Sequence, residues 1–174
     1  DGMSKPMHGG HAADTGIMVA ISASAGVTGI QDMLEGERGF GNAMCGGVDW
    51  SRVSATLGDD FTILRMTVKN HAACGHGHAA IDGVLHLQKE LGFAPEDVVR
   101  IDAGTYGPAV EIVGAQETTS AFEAKFSLPY CAAVALYDGS CRMKAFTDER
   151  RADAKVHDLA KKVFVSKDDD CDAA

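Results

Sequence analysis

The pattern of apolar and polar positions changes period several times along the chain, and each change predicts an element. Over residues 10–26 the positions Ala13, Ile17, Ala20, Ile21 and Ser24 recur at helical spacing behind Pro6, and the many small residues there imply close helix packing. A second short helical stretch is predicted over 29–40. It leads into a loop rich in glycine (Gly39, Gly41, Gly46, Gly47), near which Trp50 is expected to plug the core. Residues 62–68 alternate, with Leu64, Met66 and Val68 on one side and Arg65 and Thr67 on the other. That is the period of a half-buried strand ending at Lys69.

Beyond a loop over 70–77, residues 78–91 set Ile81, Val84, Leu85 and Leu91 on one helical face, and Gly92 and Pro95 stop that helix. Residues 98–103 read as a second strand with Val99, Ile101 and Ala103 on one face. Gly104, Gly107 and Pro108 break it, so Tyr106 is expected at a strand end. Residues 118–137 are helical in pattern, with a kink or split at Leu128 imposed by Pro129 and a dense apolar stripe after it. Thr147, Asp148 and Glu149 make a helix start, and Ala152, Val156, Leu159, Ala160 and Val163 form the buried stripe of a last amphipathic helix. No period repeats, and strands mixed with helices without a regular alternation predict an α+β domain with a small mixed sheet.

Composition narrows the partners. With 174 residues, 45% of them hydrophobic, the chain can bury one sizeable core. A formal net charge of -9 argues against nucleic acid or an anionic membrane as partner, so an anionic substrate must meet a local basic pocket. Five cysteines (Cys45, Cys74, Cys131, Cys141, Cys171) without a Cys-x-x-Cys pair fit a reducing, cytoplasmic location. No apolar run approaches the roughly 20 residues that span a bilayer.

Chemistry concentrates in the segment 69–78, where His71, His76 and His78 surround Cys74. Its His-x-x-Cys-x-His-x-His spacing matches none of the common zinc patterns, so the sharp reading as a metal site stands beside a bland one, imidazoles capping the helix that follows. Lys5 and Lys69 each lie beside Gly and His at an element boundary, where two ammonium groups could clamp two carboxylates; two solvated surface lysines are the alternative. Cys74, just ahead of a helix, could be an activated thiol or an inert, half-packed one. Cys45, Cys131 and Cys141 suggest only packing.

Four segments then carry a resemblance. Ser4-Lys5-Pro6-Met7-His8-Gly9-Gly10-His11-Ala12-Ala13 is similar to a Thr-Lys-Pro-hydrophobic-His-x-Gly-x-Ala-Ala segment of the MmgE/PrpD family. The run from Leu34 to Phe40, the run from Lys69 through Cys74 to His78 and Asp82, and the run from Phe126 to Gly139 resemble that family too, in the family's order. The resemblance implies a cofactor-independent dehydratase, decarboxylase or epimerase of small di- and tricarboxylates, like 2-methylcitrate dehydratase. It also implies a homodimer in which an α+β lid closes over a helical domain of the same protein. Lys5, Lys69 and Tyr106 match residues of the family's cleft, and His8, Cys74 and His78 are expected to contact substrate; no metal is expected. Residues 1–166 are read as the carboxyl-terminal lid and 167–174 as a disordered acidic tail. The family's acid/base histidines and aspartate have no counterpart here, and the closing portion after the last helix is not found. The chain is therefore expected to be a piece or a truncated relative, inactive by itself. A non-catalytic carboxylate-binding or assembly module is the rival expectation.

Overall fold

Pro6 opens the first helix and does not interrupt it. In the computed structural model, which describes residues 4–172, helix α1 runs Ser4–Ser24. Pro6 lies in its first turn, where a missing N–H leaves no intrahelical bond unmade. The helix thus starts ahead of the expected position near residue 10. No residue of α1 is buried, so its small residues do not make the close packing expected of them.

The described residues divide into two units, 4–67 and 68–172. In the first, residues 29–39 are not the predicted helix. Their backbone turns back on itself, with Gly36 N–H on Asp32 O (2.8 Å), Gly39 N–H on Gly36 O (2.8 Å) and Phe40 N–H on Met33 O (2.8 Å). A Cβ on Gly39 would stand 2.8 Å from the Met33 carbonyl oxygen, a closeness only glycine permits. The glycine-rich stretch expected as a loop instead holds a short helix, α2 (Phe40–Cys45), closed by Gly46 at φ 66°. Trp50 begins α3 (Trp50–Ser54), and its indole lies so close over Gly41 that a Cβ there would be 2.6 Å from Cζ2. Gly39 and Gly41 are the buried residues of this unit among those described.

The half-buried strand predicted over 62–68 does not form. Thr62–Arg65 is a 3-10 turn, and Leu64, Met66 and Val68 are exposed. Alternation specifies a strand only when a neighbouring edge takes up its N–H and C=O groups, and no such edge pairs with this segment among the described residues.

The second unit follows its sequence pattern closely. After a 3-10 turn at Gly75–Gly77 comes α4 (His78–Leu91), with Ile81 and Val84 buried and Gly92 at φ 69° donating its N–H to Gln88 O; Leu91, assigned to the inner face, is exposed. Strand β1 (Ile101–Thr105) starts beyond Val99, which is exposed, and keeps Ile101 and Ala103 half-buried. Tyr106 ends it and precedes α5 (Gly107–Val113). The split at Pro129 is observed: α6 (Ala121–Ala124) is separate from α7 (Leu128–Asp138). Ser127 caps α7, accepting from Tyr130 N–H (3.1 Å) and donating to Ala115 O (2.6 Å). Residues Leu128 to Leu136 are all buried, and α7 packs against α4, the helix over 154–160 and the sheet.

The final predicted helix divides in two. Thr147 caps α8 (Asp148–Arg151), Asp153 caps α9 (Ala154–Ala160), and Val163, placed by its pattern on the helical stripe, begins strand β2 (Val163–Lys167). A second capping residue within two turns of the first offers the backbone a new start, which ends the helix between them. β1 and β2 pair in parallel, Ile101 opposite Val163, so the small sheet expected as mixed is a parallel pair among the described residues. Residues 167–172, in the segment expected as a tail, hold the end of β2 and a short helix α10 (Asp169–Asp172), with Lys167 paired to Asp172 (2.7 Å). The fold is α+β, and α7 is the buried axis of the second unit. Among the described residues no helix is long and apolar enough to cross a membrane.

Candidate active site

The segment 69–78 is irregular backbone held against the core at several points. Ala72 N–H donates to Cys141 O (2.9 Å) and Cys74 N–H to Lys125 O (2.8 Å). Gly77 brings the start of α4 onto Leu128, where even a Cβ would press on Cδ1 at 3.3 Å. The polar side chains of the loop are therefore presented by a fixed frame.

Each histidine takes a different partner. His71, 3% exposed, places Nε2 2.9 Å from Asp82 Oδ1 and sets its ring edge to face against His78, centroids 5.1 Å apart. A carboxylate accepts only, so Nε2–H donates; Nδ1 is buried and has no partner among the described residues. His78 Nε2–H donates to Ala73 O (3.3 Å). His76 Nδ1 is hydrogen-bonded with the Tyr106 hydroxyl, their rings in T-shaped contact at 5.5 Å. Three imidazoles directed to three partners do not converge, and no set of three His, Cys, Asp or Glu among the described residues is placed to hold a metal.

Lys69 Nζ donates to Ala73 O (3.4 Å), and its stem lies 3.9 Å from the Cβ position of Gly75. Lys69 thus reaches back over the loop that carries Cys74, His76 and His78, so four of the six candidates named from sequence (Lys69, Cys74, His78, Tyr106) belong to one frame. Lys5 and His8 lie on α1, in the other unit. Cys74 is half-buried; Cys131 and Cys141 are buried. A hydrogen bond with Cys141, and then burial, push the Cys131 thiol well above its ordinary range, which keeps it protonated.

Beside Lys69 opens a cleft of about 960 Å³ floored by His71 and Ala73 and rimmed by Arg142 and Lys144. Its one acidic lining residue, Asp138, is outnumbered by Lys69, Arg142 and Lys144 and takes a bidentate bond from Arg150 (2.7 and 3.1 Å), which also pairs with Asp153. On a chain of net charge -9 this is a local basic pocket of the kind an anionic substrate requires. Two parts of the site were missed in the sequence. His76 is legible in the sequence only as a metal ligand or a helix-capping imidazole, since its bond to Tyr106 spans 30 residues. Arg142 and Lys144 follow α7 at a distance that no local pattern connects to Lys69.

Residues 71–174 match the model of the MmgE/PrpD C-terminal domain, and residues 1–53 match that of the MmgE/PrpD N-terminal domain. The matches separate between 53 and 71, as the two units do near 67, whereas the sequence reading drew 1–166 as one lid. Lys5 and His8 fall in the N-terminal match; Lys69 lies just ahead of the C-terminal match, which contains Cys74, His78 and Tyr106. No curated protein matches the chain.

Proposed function

The chain belongs to the MmgE/PrpD family, and from that premise we propose that it forms part of a cofactor-independent lyase or isomerase acting on small di- or tricarboxylates. The observation that carries this reading is the Tyr106–His76 hydrogen bond on the loop over which Lys69 lies. With Nδ1 unprotonated the phenol donates to the imidazole; with Nδ1–H the imidazole donates to the phenol oxygen and frees the phenol proton for substrate. One proton therefore lies between two groups able to give or take it.

Removing a proton next to a carboxylate concentrates negative charge on that carboxylate. Lys69 neutralises it as it develops, and an electrostatic contact that strengthens toward the transition state accelerates the reaction. Tyr106 then protonates the leaving hydroxyl or the carbanion left by carbon dioxide, or orients the substrate. Cys74 and His78 line the substrate's path, and the family's helical domain in a homodimer supplies the remaining acid/base groups.

The test is conversion of methylcitrate, citrate, cis-aconitate and iminosuccinate-type dicarboxylates by the complete gene product, with the 174-residue chain in parallel. Lys69→Ala in the complete product is expected to lower turnover about a hundredfold or more. Unchanged turnover would refute the lysine's role. Conversion of no substrate, together with carboxylate binding, would favour a non-catalytic binding module.

A further inference from the structure

The basic cleft beside Lys69 extends beyond what the proposed chemistry uses. Arg142 and Lys144 rim it from the segment following α7, and both are exposed. Asn70 Oδ1 accepts a hydrogen bond from Arg142 Nη2 at 2.9 Å, which fixes the guanidinium against the residue next to Lys69. A guanidinium carries five donors in a planar fork, so this bond leaves others for a planar anion. Asp138 does not cancel these charges: it is one carboxylate against Lys69, Arg142 and Lys144, and Arg150, which also pairs with Asp153, holds it with two bonds. The segment itself is anchored at both ends: Cys141 O accepts from Ala72 N–H on the cleft floor (2.9 Å), and Ala145 O accepts from the buried Tyr130 hydroxyl (2.5 Å).

We infer that Arg142 and Lys144 are specificity-determining residues of this site, holding a further carboxylate of the substrate and so selecting tricarboxylates over shorter acids. The inference rests on the carboxylate reading above. A fork and a point charge on a segment tied to the cleft floor suit a carboxylate that takes no part in the reaction: Arg142 pairs with its two oxygens, and Lys144 adds charge. Binding energy at such a remote group positions the reacting carbon near Lys69.

The experiment is calorimetric titration of the 174-residue chain with tricarballylate, glutarate, acetate and inorganic phosphate at one ionic strength. Tricarballylate is expected to bind about tenfold more tightly than glutarate, and Arg142→Gln/Lys144→Gln is expected to erase that gap. Lys155→Gln/Lys161→Gln, which removes the same charge away from the cleft, should leave it intact. Lys69→Gln should weaken both acids together. A double cleft variant that keeps the gap, phosphate binding as tight as tricarballylate, or no binding at all would each overturn the assignment. Because binding is read without turnover, a chain that shows the gap while the complete product converts no acid would uphold the carboxylate site and sink only the lyase reading.

Discussion

Residues 68–172 and residues 4–67 use the same apolar residue types in opposite ways. In the later region Ile81, Leu128, Val134 and Val156 are 2% exposed or less, each contributing roughly 1.5–3 kcal/mol by burial. In the earlier region Ile17, Ile21, Ile30 and Leu57 are 64–77% exposed, and α1 buries nothing. The difference teaches that periodicity reports which face of an element is apolar and says nothing about whether its own unit supplies a surface to cover that face. The later region closes on itself because the Pro129 break sends α7 through its centre. In the earlier one, glycines at 36, 39, 41, 46 and 47 follow α1 and leave only α2 and α3, helices of 6 and 5 residues, so its own elements offer α1 little surface to pack on.

The largest effect that would test this contrast is a pair of truncations. Ile81→Ala should cost about 2–5 kcal/mol in urea unfolding followed by circular dichroism, and Ile17→Ala within about 0.5 kcal/mol. Equal costs would dissolve the comparison. Next comes pH. Burial pushes the Tyr130 phenol up to about 12. Its neutral form is thus favoured by folding, and this contribution is complete below about pH 10 and lost as the pH rises through 12. A shift of that size corresponds to roughly 3 kcal/mol. Unfolding at a series of pH values should show the decline, and Tyr130→Phe should flatten it while losing about 1 kcal/mol at neutral pH with the bond to Ala145 O. The smallest effects are two alanine substitutions of opposite sign. Gly92→Ala, at φ 69°, should destabilise by about 1 kcal/mol. Gly10→Ala, where an added Cβ meets nothing within 4 Å, should strengthen α1 by about 0.5–1 kcal/mol, read as helicity.

The same contrast governs how much was legible in the sequence. The bounds of α4, the break at Pro129, the cap at Thr147 and the place of Tyr106 all rest on local stereochemistry: a glycine at positive φ, a proline without an N–H, a hydroxyl at a helix start. The strand expected over 62–68 and the helix continued through Val163 rested on periodicity: the first has no pairing edge among the described residues, and pairing with β1 makes Val163 the start of a strand. In the site, Lys69, Cys74 and His78 could be picked out because a local run of unusual residues carries them. The bond from His76 to Tyr106 and the approach of Arg142 to Asn70 could not, since they span 30 and 72 residues and leave no periodic trace.

The central claim is that Tyr106 and His76 share a proton used next to a substrate carboxylate. Proton NMR in deuterated water most directly tests it, following exchange at the methylene groups of citrate and methylcitrate with the complete gene product and its Tyr106→Phe variant. The account predicts exchange above the buffer rate that falls by about 10²–10⁴ in the variant. Equal exchange by both proteins, or none by either, would contradict it.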